Sequence, residues 1–307
     1  MTPPRRHLAR EVILLTRRCM ERRHFLRPDP YINQVTAFEL GKATERHGQV
    51  IHAAVFMSNH KHSVVTDTNG ERSRFMQDSM SGIARSRNRD LDRRGHFWGA
   101  GSYGDTVLLD RDAIERKILY VLLNPVRAGL VKRAEDWPGF KILPRQWGKT
   151  IRVEKPGRFY GRKSPEVVEF TPMPPPGFEE MSLEEVIAHF EELLRLAEDE
   201  IASLREEMGL SVCGPAKVQE LDPGSSPATP DQRGKINPRF ATRNRALLIQ
   251  AIEAYRGFYD DYKKARLRWL KGAKNIVFPC GTVALRRRAP IRCAPQNMGE
   301  PGVFLLT

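Results

Sequence analysis

The sequence predicts an α+β fold: an antiparallel, ferredoxin-like split-βαβ sheet with helices on one face, joined to a mainly helical C-terminal region. Three observations predict it. In the first 150 residues, short apolar and β-branched runs alternate with longer stretches of helical spacing, in the order β-α-β-β-α-β-α. Stretches rich in Pro, Gly and charge then interrupt the chain. Beyond them come two long segments of helical character, one acidic and one basic.

Each element has its own local reason. EVILLTRRC (Glu11 to Cys19) is an apolar run that turns basic, and reads as the first strand. Tyr31 to His47 carries Ile32, Val35 and Phe38 at three-residue spacing, which suits a helix, and Gly48 ends it. Val50 to Met57, rich in β-branched and small apolar residues, is the second strand. His62 to Thr66 is the third and stops at the turn DTNG. Glu71 to Asp92 is a helix with many arginines, followed by the glycine-punctuated loop GHFWGAGSYGD and a brief strand, Thr106 to Leu109. Asp110 or Asp112 caps a helix that runs to about Asn124, where Pro125 stops or kinks it. This part forms one domain, residues 1–145. Residues 146–181 read as a linker, because TPMPPPGFEE is dense in Pro and Gly. The C-terminal region, 182–307, opens with the capping box SLEE at Ser182 and an acidic helix to about Met208. A flexible linker near 214–238 precedes a basic amphipathic helix, Arg239 to Lys271, with Tyr255, Phe258, Tyr262 and Trp269. The tail has two strand-like pieces, IVFPCGTVAL and GVFLL.

Composition narrows the function classes. The 307 residues hold 51 Lys and Arg against 37 Asp and Glu, a net charge of +14. Of these, 27 basic and 16 acidic side chains fall in residues 1–150, so most of the excess sits in the N-terminal half. That asymmetry points to a polyanionic partner, most often nucleic acid. No apolar run approaches the roughly 18 residues a membrane span requires, and the N-terminus lacks a signal-peptide core, so the expectation is a soluble, non-exported protein with no membrane partner. Four scattered cysteines without a CxxC pair speak against a zinc ribbon or a disulfide framework.

The chemistry concentrates in two segments. In VFMSNHKHSVV, His60 and His62 are two apart, so on a strand they share a face and can hold one metal ion together. In ILYVLLNPVRAGLVKRAEDWP, Tyr120 and Asn124 are four apart on the helix and share a face, offering a phenol and an amide oxygen. Taken alone, each half has a plainer reading: a satisfied core histidine in the first, aromatic packing and a helix cap in the second.

The pairing of MSNHKH with YVLLNPVRAGLVKRAEDWP resembles the REP-associated tyrosine transposases, members of the single-tyrosine HUH superfamily that includes insertion-sequence transposases. LTRRCMERRHFL looks like that family's first strand and turn, and FMQDSMSGIARSRNR with GHFWG like its second helix and following loop. The resemblance covers about residues 8–145; the rest of the chain has no counterpart in it. It implies a DNA transposase and endonuclease that recognises a single-stranded or hairpin DNA, with Tyr120 as nucleophile and a 5′-phosphotyrosine intermediate. It further implies a divalent ion, Mg²⁺ or Mn²⁺, on His60, His62 and Asn124. A cytoplasmic, nucleoid-associated monomer or homodimer is expected. Arg17, Arg18, Arg22, Arg23, Arg85, Arg87, Arg89, Arg127 and Lys132 are the candidate phosphate contacts, and Trp98 a candidate for stacking on unpaired bases. The rival expectation is a non-catalytic protein that binds hairpin DNA or RNA on the same fold.

Overall fold

The structure is a computed structural model, and it describes residues 4–157, 159–229, 238–297, 299, 302 and 303. The chain runs β1 (Glu11–Arg18), α1 (Pro30–His47), β2 (Gln49–Phe56), β3 (His60–Asp67), α2 (Arg72–Asp90), β4 (Gly104–Leu108), α3 (Arg111–Leu122) and α4 (Asn124–Arg127). It continues through β5 (Lys141–Ile142), β6 (Ile151–Glu154), β7 (Val167–Phe170), α5 (Leu183–Glu207), α6 (Pro215–Glu220), β8 (Phe240–Ala241), α7 (Arg245–Leu270), β9 (Val277–Phe278), α8 (Val283–Arg286) and β10 (Arg292–Cys293). The central sheet has the order β5-β2-β3-β1-β4-β8. Its middle four strands, β2-β3-β1-β4, are antiparallel and form the expected split-βαβ unit.

Strand alternation builds a core on each side. Ile13 and Leu15 of β1 and Val65 of β3 pack with Val35, Phe38, Phe75 and Ile83 of α1 and α2. Val12, Leu14 and Val64 face the other way, onto Ile114, Ile118, Val121 and Leu122 of α3 and Val186, Phe190 and Leu194 of α5. The register of β2 shifts between Ile51 and Ala53, so Ala53 and Val55 join the α3 side.

The structure therefore extends the expected fold class in two ways. The helices of the split unit, α1 and α2, share one face as expected, while α3 and α5 cover the opposite face. The sheet is mixed, because β8 from the C-terminal region pairs parallel to β4. Local starts agree with the residue signals. Asp29 accepts a hydrogen bond from the Ile32 amide ahead of α1, Asp110 accepts one from the Ala113 amide ahead of α3, and Ser182 and Glu185 form a reciprocal cap on α5.

Two expectations fail in instructive ways. Residues 146–181 contain the β6–β7 hairpin, which packs Val153, Val168 and Phe170 against α1. Trp147, also buried, donates its indole hydrogen to the His52 carbonyl at 2.8 Å. Within 214–238, α6 is anchored by buried Val218, and residues 221–229 lie against the turn after β1; residues 230–237 lie outside the described residues. In the tail, Val277–Phe278 is a strand but Val283–Arg286 is helical. Of GVFLL only Gly302 and Val303 are described, and Val303 bridges to Glu11. No described helix is long and apolar enough to cross a membrane.

Candidate active site

His60 and His62 lie on β3, a central strand, and point to the side covered by α3. Their ring centroids are 4.9 Å apart and nearly perpendicular. Tyr120, in the last turns of α3, sets its ring 5.4 Å from that of His62. Asn124 opens α4 just after the break at Leu123. Its Nδ2 donates to the Tyr120 carbonyl at 2.6 Å, and its side chain lies beside His60. All four groups expected to converge do so within one chain.

The imidazoles are held neutral. Burial, with the nearby Arg18 charge, lowers the His60 pKa to about 4 against a smaller opposing effect of the neighbouring Asn124 amide, which would favour the charged ring. His62 is pushed well below its ordinary value by burial and by the charges of His60, Lys61, Arg18 and Lys117. His60 touches the cleft surface, yet protein surrounds most of its ring, so desolvation governs it. Asn59 fixes the His60 tautomer. The Asn59 Nδ2 donates to the Arg22 carbonyl at 3.1 Å, so its Oδ1 accepts the His60 Nδ1 hydrogen at 2.6 Å. His60 Nε2 is then an acceptor. His62 Nδ1 is buried with no hydrogen-bond partner.

Two neutral imidazoles, one with an unpartnered ring nitrogen, and an amide oxygen suit a divalent cation. The described residues include no group of three His, Cys, Asp or Glu that could hold a metal, so a cation seated on the two histidines would need a further ligand of another kind, such as the Asn124 amide oxygen.

The site opens into a cleft of about 500 Å³ lined by Thr16, Arg18, His60, His62, Lys117 and Tyr120, among others. Arg17 and Lys61 also line it, and none of its described lining residues is acidic. Such a wall attracts a polyanion. Lys117, which sequence reasoning missed, places its ammonium 5.2 Å from the centre of the Tyr120 ring. A signal for it existed, since it lies three residues before Tyr120 on the same helical face. Asn59 was missed as well, although it adjoins His60.

The expected DNA contacts divide. Arg18 is exposed at the cleft, and its strand position pairs with His60. Arg17 lines the cleft, but its guanidinium donates to the Gly101 and Gly99 carbonyls at 2.8 and 3.0 Å, so it holds the loop after Trp98. A second cleft of about 630 Å³ includes Arg17, Ser81, Arg85, Asn88, His96 and Trp98 in its wall. Arg85 is exposed there. Trp98 is half-buried, donates to the Met80 carbonyl at 2.9 Å, and packs edge-on against Phe97. Arg89 is exposed, with its guanidinium 4.8 Å from the Phe159 ring centre. Arg87 is a correction. It is 1% exposed, pairs with Asp29 at 2.8 Å and Asp90 at 2.6 Å, and donates to the Phe25 carbonyl, so it holds α2 to the loop before α1 and offers nothing to DNA. Arg127 and Lys132 are exposed but line neither cleft.

No protein-family model matches the chain, and no curated protein matches it. Among solved structures it is similar to a REP-associated tyrosine transposase bound to a REP hairpin, at 19% identity over 48% of this chain and 85% of that one, with a TM-score of 0.40. It is also similar to a Deinococcus radiodurans protein assigned as a transposase, at 17% identity over 34% of this chain and 84% of that one, with a TM-score of 0.27.

Proposed function

We propose that the protein cleaves and rejoins single-stranded or hairpin DNA, with Tyr120 as the nucleophile. The observation that carries this reading is the Tyr120 ring set edge-on 5.4 Å from that of His62, in the wall of a cleft with basic and no acidic described lining residues. A phenol that serves only as core filler needs neither the paired neutral imidazoles nor the basic wall.

In the proposed step the Tyr120 oxygen gives up its proton and attacks a backbone phosphorus, the P–O3′ bond breaks, and the leaving 3′-oxygen takes up a proton, so that the phenol's proton is in net terms passed to it. The products are a 5′-phosphotyrosyl link and a 3′-hydroxyl. The ester bond is conserved, so a 3′-hydroxyl can attack the link and reseal a strand without ATP. His60, His62 and Asn124 would hold a divalent ion, Mg²⁺ or Mn²⁺; two nitrogen ligands favour Mn²⁺ of the pair. When bound, such an ion supplies charge neutralisation at the non-bridging phosphate oxygens. Arg18 and Lys117 line the cleft where the phosphate would lie and add positive charge there.

The test is a 5′- and 3′-labelled hairpin oligonucleotide incubated with Mn²⁺ and run on a denaturing gel. A covalent protein–DNA band is expected, and Tyr120→Phe removes it. Cleavage that survives Tyr120→Phe assigns the chemistry to water, and metal-independent binding with no band favours a binding-only protein.

A further inference from the structure

The turn that follows β1 is occupied. Arg22 Nη1 donates to the Thr229 carbonyl at 2.5 Å and Arg22 Nη2 to the Thr229 hydroxyl at 3.0 Å. Arg23 Nη1 donates to the Gly224 carbonyl at 2.9 Å, and Arg27 Nη1 to the Leu221 carbonyl at 3.2 Å. The His24 amide donates to the Ser225 carbonyl at 3.0 Å, and the Ser226 hydroxyl to the Glu21 carbonyl at 2.8 Å. Three guanidiniums are thus covered by a segment that offers them neutral oxygens spaced along its backbone. A phosphodiester chain presents oxygens in the same way and adds opposite charge.

Three further observations mark this cover as removable and linked to the site. None of residues 221–229 is buried, so lifting them exposes little apolar surface. The turn beneath is strained, since Glu21 and Arg22 are consecutive non-glycine residues with φ of 51° and 57°. Finally, the Arg22 carbonyl accepts from Asn59, and Asn59 holds His60. The cover, the turn, Asn59 and His60 form one hydrogen-bonded chain. The carboxylates at the turn sit to the side: Glu21 pairs with Arg23 at 2.8 Å and Asp29 with Arg27 at 3.7 Å, and each arginine has a second nitrogen on the covering segment.

We propose that Arg22, Arg23 and Arg27 form a track for the phosphodiester backbone of single-stranded DNA passing the Tyr120 cleft, and that residues 221–229 are a strap over this track which the strand displaces. The proposal rests on the reading of the cleft as a DNA site. It extends that reading to a surface whose cover comes from a part of the chain outside the family resemblance.

The test has two arms. In the first, a fluorescein-labelled 20-nucleotide single strand is titrated by anisotropy against the natural chain and against one in which 222–229 is replaced by glycine and serine at equal length. The replaced chain binds at least fivefold tighter at low salt, with a steeper salt dependence. That gain disappears when Arg22→Gln and Arg23→Gln are added. Equal affinities, or a gain that survives without the arginines, overturns the proposal. The second arm uses the natural chain alone, so it stands even where a variant fails to fold. Saturating oligonucleotide speeds amide hydrogen exchange in 221–229, and unchanged or slowed exchange overturns the strap. A strap that opens without any Tyr120 adduct leaves the track standing and removes the cleavage chemistry; an adduct without opening does the reverse.

Discussion

At the scale of single residues, the site depends on side chains that position others. Asn59 is the clearest case, because its amide reads the Arg22 carbonyl on one side and sets the His60 tautomer on the other. Losing such an outer-shell partner typically costs about 10–100-fold in metal affinity. Asn59→Ala is expected to weaken Mn²⁺ binding by that factor in calorimetric titration, while Asn59→Asp, which keeps the acceptor, restores much of it. Equal Mn²⁺ affinity in Asn59→Ala removes this residue from the site. Strand and helix periods put His60 with His62, and Tyr120 with Asn124, on one face, but it was the family resemblance that singled out the four together. The burial of Arg87 was not legible. Its partners Phe25 and Asp29 lie some sixty positions away, and no local pattern distinguishes a buried arginine from a solvated one. Arg17 is intermediate: its place in the cleft was legible, but its engagement with the Gly99 and Gly101 carbonyls depends on how a distant loop folds back.

At the scale of elements, the C-terminal region supplies a wall of the domain that carries the site. The apolar stripe of α5, Val186, Phe190 and Leu194, packs on the same cluster as Ile114, Ile118 and Val121 of α3. Phe190 is fully buried, with its ring 5.1 Å from Trp147 and 5.2 Å from Phe178. Phe190→Ala is therefore expected to destabilise the whole protein by about 3–5 kcal/mol in urea unfolding, against a near-neutral change at an exposed α5 position such as Leu196. A loss below about 1 kcal/mol would show that α5 is merely appended to the sheet. The capping box made α5 readable, but not its docking surface. The β6–β7 hairpin escaped notice because each strand is four residues long and the Pro-rich loop beside it dominates the composition. Its identity comes from pairing across the turn and from the close approach of β7 to Gly41, where a Cβ would meet Val168 at 2.9 Å.

At the scale of the molecule, a strongly basic protein buries several histidines as neutral rings, and this links its stability to pH. His52 shows the effect away from the site. It is buried between β2 and the proline-rich loop, donates from Nδ1 to the Met173 carbonyl at 2.8 Å, and accepts from Thr66 at 2.7 Å. Burial, only partly offset by backbone hydrogen bonds, lowers its pKa to about 4. The sign follows from where protons bind. Unfolded, this histidine takes a proton below its ordinary pKa near 6.5; folded, it resists until about 4. Between those values the unfolded state binds more protons, so stability falls as pH falls, by up to about 1.4 kcal/mol per pH unit from this one group. Above pH 7 the contribution is fully present, and below about 4 it is lost with no further slope. Carboxylates titrate in the same range, so the measurement is a difference. Urea unfolding of the natural chain and of His52→Gln is followed from pH 7.5 to 4.5. The natural chain is expected to lose stability more steeply, and parallel curves would mean that His52 titrates alike in the folded and unfolded chain.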